Sequence, residues 1–208
     1  MTWRPGHRTF FMVLVGNWLF GTGHAMAIAS GLGVSPWTTL AQGVGVQTNW
    51  SIGLSVLVIG VVVLLLWVPL RERPGLGTFF NVIIVSVAID VMLPILPTPQ
   101  SMLLAAAQVL GGLLLNGVGS ALYLTANLGP GPRDGLMTGL QKVTHIPIAW
   151  VRTGLEISVL TAGWLLGGIV GVGTLLFAVG IGPVMAVCMS LVKHLDQAAH
   201  DPRPPNMR

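Results

Sequence analysis

The sequence predicts an all-α membrane protein of about six transmembrane helices, built as two inverted three-helix repeats that each contain an extra short helix. Three observations support this class: the composition, the positions of the basic residues and an internal repeat. Of the 208 residues, 53% are hydrophobic and 8% are charged. Soluble domains carry about 25% charged residues, so the solvent that suits this chain is lipid.

Six apolar runs have the length of about 20 residues that a helix needs to cross a bilayer. They lie near 9–30, 50–70, 77–95, 101–126, 147–168 and 173–193. Two shorter segments, 36–47 and 132–144, begin with residues that start helices. At about 1.5 Å per residue these segments reach only about 18 to 20 Å, which is too short to span.

The basic residues orient the helices, because cytoplasmic loops are rich in Lys and Arg. With a cytoplasmic N-terminus and six crossings, the ten basic residues all fall on or near the cytoplasmic side. Eight crossings would move Arg71, Arg73 and Arg133 outside. The predicted organisation is a cytoplasmic N-terminus 1–8, a first membrane repeat 9–95, a second 101–193 and a cytoplasmic tail 194–208.

The two halves of the chain match without a gap when one is displaced by 96 residues, which aligns Gly21 with Gly117. The same displacement aligns Leu32-Gly33 with Leu128-Gly129, Pro36 with Pro132, Gly43 with Gly139, and 75–78 with 171–174. Each half then contains three crossings, and an odd number inverts the second half relative to the first. Inverted repeats of this kind are common in transporters.

Three segments of the repeat resemble a known family. Residues 30–37 read SGLGVSPW, residues 127–135 read NLGPGPRDG, and residues 171–174 read GVGT. They are similar to the YczE-type bacterial membrane proteins, relatives of the YitT group, over about residues 10 to 195. The resemblance implies a multi-pass protein of the bacterial cytoplasmic membrane, and it implies no reaction and no site residues.

The starts of the two short segments are candidate solute-binding positions. Ser35 is a preferred N-cap residue directly before a proline, and helix N-termini attract anions. We therefore predict that Ser35, Thr38, Asn127, Arg133 and Asp134 lie near a substrate path if the short helices are re-entrant. The alternative is that both helices lie flat in the membrane interfaces, with Trp37 on an apolar face. Arg133 would then contact lipid headgroups, and Asp134 would cap its helix.

Three further ionisable residues are candidates for the path. Glu156 lies near the middle of the fifth predicted span, and Arg152 lies one turn earlier on the same face. The pair is either functional or a static bridge between the halves. Asp90 lies near the outer end of the third span, where it either contacts a proton or cation, or lies in the interface or caps a helix. His24, a lone histidine among glycines, is expected to be a packing or interface residue rather than a ligand.

The sequence contains no phosphate-binding loop, metal-ligand spacing or nucleophile with its base, so we expect no enzyme activity, cofactor, metal or nucleic-acid partner. The expected function is a transporter or channel-like permease for a small polar or anionic solute. The alternative is a non-transporting scaffold or regulator that acts through its cytoplasmic face. The bilayer is the expected partner, and a homodimer is one candidate assembly. A cavity that reaches Glu156 would favour permeation.

Overall fold

The computed structural model describes residues 6–200, and within that range the chain forms eight α-helices and no strand. In chain order they are α1 His7–Ser30, α2 Pro36–Thr48, α3 Ile52–Leu70, α4 Leu76–Met92, α5 Met102–Thr125, α6 Pro132–Thr144, α7 Ile148–Leu165 and α8 Val172–His200. The predicted all-α class is confirmed. Residues 1–5 of the predicted N-terminal segment and 201–208 of the predicted tail lie outside the described residues.

Both predicted short helices are present, and their ends follow from local chemistry. α2 and α6 have Pro36 and Pro132 in the first turn, where a missing backbone N–H is no loss. Each is followed by a residue in the left-handed region, Asn49 with φ 57° and His145 with φ 57°. That conformation ends a helix and turns the chain towards the next one.

Four helices in the described range are long and apolar enough to cross a membrane. They are α1, α3, α5 and the part Val172–Val192 of α8. α4 is apolar but has 17 residues. α7 has 18 residues, and Arg152 and Glu156 are among them. Length and composition therefore support four of the six predicted crossings.

The crossing of α1 and α5 forms the centre of the molecule. Gly16 faces Gly119, and Gly23 faces Gly112. A Cβ atom on Gly23 would lie 2.5 Å from the carbonyl oxygen of Gly112, and one on Gly119 would lie 2.5 Å from that of Gly16. Because side chains are absent at these four positions, the two backbones pack directly against each other.

Two Gly-rich turns connect the halves through a reciprocal pair of hydrogen bonds. The backbone N–H of Gly77 donates to the carbonyl of Leu128 at 2.9 Å, and that of Gly173 donates to the carbonyl of Leu32 at 2.8 Å. These two bonds are related by the displacement of 96 residues seen in the sequence. The turn that begins α4 is therefore bonded to the loop after α5, and the turn that begins α8 to the loop after α1.

The outer helices pack in corresponding pairs. α1 packs on α4 and α5 packs on α8, while α2 packs on α7 and α6 packs on α3. A displacement of 96 residues relates α1 to α5 and α4 to α8, so the first two contacts correspond. The same displacement relates α2 to α6 and α3 to α7, so the other two contacts correspond as well. The short helices thus contact the long helix of the opposite half, which brings their N-termini into the interior.

The glycine crossing predicts that one added methyl group at Gly23 destabilises the protein by about 1–3 kcal/mol, the usual effect of overpacking. The matched control is Gly154→Ala on α7, because nothing lies within 4 Å of a Cβ atom there. Thermal unfolding of the purified protein in detergent measures both. Equal melting temperatures for Gly23→Ala and Gly154→Ala would contradict the close contact.

Candidate functional site

Two cavities lie beside the N-termini of α2 and α6. The first, which we call the apolar cavity, has a volume of about 90 Å³ and lies among α1, α3, α4 and the start of α6. The second, the charged cavity, has about 160 Å³ and lies among α5, α7, α8 and the start of α2. Four side chains line both: His24, Trp37, Tyr123 and Arg133. These four form a shared wall between the cavities.

The first turns of the two short helices are buried or half-buried beside this wall. Ser35 is 7% exposed and Thr38 is 2% exposed, and their hydroxyl oxygens lie 2.8 Å apart. Ser35 occupies the predicted N-cap position, but its hydroxyl bonds Thr38 rather than a backbone N–H. Gly131 and Pro132 are also buried, and the indole N–H of Trp67 on α3 donates to the carbonyl of Pro132 at 2.9 Å.

The other ends of the short helices reach the surface. Gln47 near the end of α2 is exposed, and its amide donates to the carbonyl of Leu166 at 3.0 Å. Lys142 near the end of α6 pairs with Glu72 at 2.6 Å. Each short helix therefore runs from the interior outwards and is attached at its outer end to the residues that follow α7 or α3.

Arg133 presents a cation at the shared wall without a counter-charge. Its guanidinium lies 5.3 Å from the centroid of the Phe20 ring, a cation–π contact. Among residues 6–200 its guanidinium makes no ion pair and donates no hydrogen bond. Asp134 beside it accepts instead from the Tyr123 hydroxyl at 3.4 Å.

Two members of the shared wall, His24 and Tyr123, pack against Phe20. The His24 ring centroid lies 4.6 Å from that of Phe20 and the Tyr123 centroid 6.0 Å from it. The Nδ1 atom of His24 lies 2.9 Å from the Phe20 carbonyl oxygen, so His24 has a structural partner. The Nε1 atom of Trp37 is buried and has no hydrogen-bond partner in the described part of the chain.

Arg152 and Glu156 both line the charged cavity. The Nε atom of Arg152 lies 3.0 Å from Oε1 of Glu156, and the two side chains are 47% and 29% exposed. The two residues lie one helical turn apart, as their spacing predicts. The charged cavity therefore reaches Glu156.

The linings of the two cavities correspond at the same displacement of 96 residues. Corresponding residues, with the apolar cavity given first, are Val56 and Arg152, Gly60 and Glu156, Asn81 and Phe177, Val82 and Ala178, Val85 and Ile181, and Ile89 and Met185. Trp37 and Arg133 correspond to each other, and both lie in the shared wall. The halves therefore build two similar cavities and line them with different chemistry.

The cavities differ in size because two glycines are present in only one half. Gly53 and Gly60 let α3 pack closely on α4, where a Cβ on Gly60 would lie 3.0 Å from Val82. Ala149 and Glu156 occupy the corresponding places on α7. On α8, nothing lies within 4 Å of a Cβ built at Gly182. The space beside Glu156 is therefore left open.

Six of the eight predicted path residues line these cavities, and two do not. The six are Ser35, Thr38, Arg133, Asp134, Arg152 and Glu156. Asn127 is exposed in the turn after α5 with φ 52°, a backbone position that Asn tolerates well. Asp90 accepts from the Ser51 hydroxyl at 2.5 Å and from the Gly53 N–H at 2.7 Å. It therefore caps α3 from a neighbouring helix.

Sequence reasoning missed the aromatic members of the wall. Trp37 was expected on an apolar helix face and His24 in packing, and Tyr123 was not singled out. The internal repeat contains the signal for Trp37, because that residue corresponds to Arg133. The buried amide pair, in which Asn81 donates to Asn17 at 2.7 Å, joins α4 to α1 and supports the same region.

The fold and the apolar helices define the protein as a helical membrane protein. Residues 7–190 match a family described as a family of unknown function, DUF6198, and the chain belongs to it. The expected resemblance to YczE is confirmed, because the chain is 35% identical to the uncharacterized membrane protein YczE of Bacillus subtilis over 159 residues. That match covers 74% of this chain and 72% of YczE.

Two further relatives match over most of their length. An uncharacterized protein of Haemophilus influenzae is 42% identical over 199 residues, 96% of this chain and 91% of that protein. The uncharacterized protein YyaS of Bacillus subtilis is 28% identical over 183 residues, 86% of this chain and 91% of that protein. No solved structure matches the chain.

The capping role of Asp90 predicts that Asp90→Ala lowers the free energy of unfolding by about 1–3 kcal/mol, because two donors at the start of α3 lose their acceptor. Asp90→Asn keeps one acceptor oxygen in place and is expected to lose less. Thermal unfolding in detergent compares the two variants with the wild type. Unchanged stability of Asp90→Ala would refute the capping role.

Proposed function

We propose that this protein is a secondary transporter or channel-like permease for a small polar or anionic solute. The observation that carries the proposal is the pair of cavities on either side of one shared wall, with linings that correspond residue by residue at the repeat displacement. Two inverted copies of one unit supply two vestibules, one open to each side of a membrane. The shared wall then lies between the vestibules.

The proposed topology has six crossings in the bacterial cytoplasmic membrane, with both termini cytoplasmic. The reciprocal hydrogen bonds of Gly77 and Gly173 support a two-fold relation between the halves. All ten basic residues agree with this orientation. α2 and α6 are proposed to be re-entrant, since their first turns are buried and their last turns are exposed.

Arg133 and Trp37 are proposed to contact the solute, because both have unused donors at the wall that the vestibules share. The Arg152–Glu156 pair is proposed to line the vestibule formed by the second half. Its partial exposure and its place beside a cavity support a role in the path over a static bridge. An ionisable pair at membrane depth is a functional candidate on general grounds.

The inversion predicts that two corresponding positions lie on opposite sides of the membrane. Gln47 and Val143 are 96 residues apart and both exposed. In a Cys188→Ala background, a membrane-impermeant maleimide applied to intact cells is expected to label Gln47→Cys and to leave Val143→Cys unlabelled. Permeabilised cells serve as the control, in which both label. Labelling of both cysteines in intact cells would rule out the inversion.

The permease proposal predicts solute flux in proteoliposomes that contain the purified protein. Arg133→Ala is expected to lower the flux about tenfold or more, because a hydrogen bond to a charged group contributes about 1.5–3 kcal/mol. Glu156→Gln is expected to lower it as well, while Lys142→Gln, outside both cavities, leaves it unchanged. If the wild type moves none of a broad panel of small polar and anionic solutes, the scaffold or regulator becomes the better explanation.

A further inference from the structure

The apolar cavity combines one cation with a mainly aliphatic lining. Six of its side chains are Val56, Ile59, Val63, Val82, Val85 and Ile89, all from α3 and α4. Arg133 is the only charged residue among the described residues that line it. The charged cavity differs, because Asp134 and Glu156 contribute carboxylates there. A cation in an apolar, carboxylate-free cavity favours a negatively charged occupant.

The guanidinium of Arg133 has capacity for such an occupant. It carries five N–H donors in a planar fork that matches a carboxylate. Its Cζ atom lies 5.3 Å from the centroid of the Phe20 ring, and this cation–π contact supplies no hydrogen-bond acceptor to the N–H groups. Within residues 6–200 none of these donors has an acceptor.

A second donor in the same lining is also unused. The Nε1 atom of Trp37 is buried from solvent and lacks an acceptor among the described residues. A buried N–H that makes no hydrogen bond is unfavourable by about 1–3 kcal/mol, so its presence in a folded protein needs an explanation. The buried Trp67 of the same region, by contrast, donates from its Nε1 to the carbonyl of Pro132. Trp37 and Arg133 both line the apolar cavity, and a bound acceptor there would explain both unused donors.

The volume limits the size of that occupant. At about 90 Å³ the cavity has room for a few water molecules or for one small organic anion. An inorganic oxyanion would leave the aliphatic walls in contact with water, whereas a short alkyl group would cover them. Burial of each CH₂ group contributes about 0.8 kcal/mol. The lining thus suits both parts of a short fatty acid anion, Arg133 its carboxylate and the aliphatic side chains its alkyl group.

We infer that the apolar cavity, taken as the solute site of the permease proposed above, binds a short-chain monocarboxylate. The carboxylate accepts from the guanidinium of Arg133 and from the indole N–H of Trp37. The alkyl group packs against the aliphatic side chains of α3 and α4.

Equilibrium binding to the full-length protein in detergent tests this site separately from flux. The ligands are sodium propionate and butyrate, with propionamide as the uncharged isostere and sodium nitrate as the anion without an alkyl group. Wild-type protein is expected to bind butyrate more tightly than propionate. Propionamide is expected to bind at least about tenfold more weakly than propionate, the difference of one charged hydrogen bond. Nitrate is expected to bind at least about tenfold more weakly than the carboxylates, the difference of two to three buried CH₂ groups.

Substitutions in the two cavities locate the ligand within the protein. Arg133→Gln is expected to weaken propionate binding about tenfold or more, and Trp37→Phe about threefold to tenfold, the range of one hydrogen bond. Arg152→Gln makes the same chemical change in the charged cavity and is expected to weaken binding less than Arg133→Gln does. Lys142→Gln, outside both cavities, is expected to leave binding within about twofold. Arg133→Lys retains the positive charge but lacks the planar guanidinium. An affinity for propionate between those of the wild type and Arg133→Gln therefore supports a carboxylate bound by two hydrogen bonds from the guanidinium. Melting temperatures confirm that each variant is folded.

The outcomes separate this inference from the proposed function. Equal binding of propionate and propionamide, or a larger loss in Arg152→Gln than in Arg133→Gln, would overturn the inference. Flux of other solutes by a protein that binds no monocarboxylate would also overturn it and leave the permease in place. Propionate binding that depends on Arg133 and Trp37, without any flux, would support the site and reject transport.

Discussion

The close approach of α1 and α5 is the constraint on which the other contacts depend. Gly16 against Gly119 and Gly23 against Gly112 leave no space for side chains, so the two longest central helices contact each other through their backbones. In lipid, where apolar surface is not driven out of water, such contact is a main source of helix association. α4 and α8 pack on the outer faces of this pair.

The crossing also decides where polar groups lie. The loops after α1 and α5 meet the turns that begin α8 and α4, and the chain then enters α2 and α6 from the interior. Backbone groups at these irregular segments are bonded within the protein, as a membrane environment requires. The buried amides Asn17 and Asn81 bond each other, whereas the donors of Arg133 and Trp37 have no acceptor in the part of the chain that the structure describes. The amide pair therefore holds α1 and α4 together, and the other two side chains contribute no such bond.

The two halves use one scaffold for different chemistry. At corresponding places the first half has Val56 and Gly60, and the second has Arg152 and Glu156. Glycine on α3 lets that helix pack closely on α4. The longer charged side chains on α7 lie beside the charged cavity, which is the larger of the two. Contacts related by the 96-residue displacement and different side chains at corresponding places thus give one architecture with two chemically different cavities.

The helices, the two proline starts and the correspondence between the halves can be predicted from the sequence, because apolar run length, helix-start chemistry and glycine spacing are local properties. Arg133, Arg152 and Glu156 can be identified in the same way, since charges are rare in such a chain. The place of Trp37 beside both cavities and the capping of α3 by Asp90 emerge from the folded structure alone. Those roles depend on which helices contact each other in the folded protein. Local sequence patterns such as apolar periodicity do not report contacts between residues that are far apart in the chain.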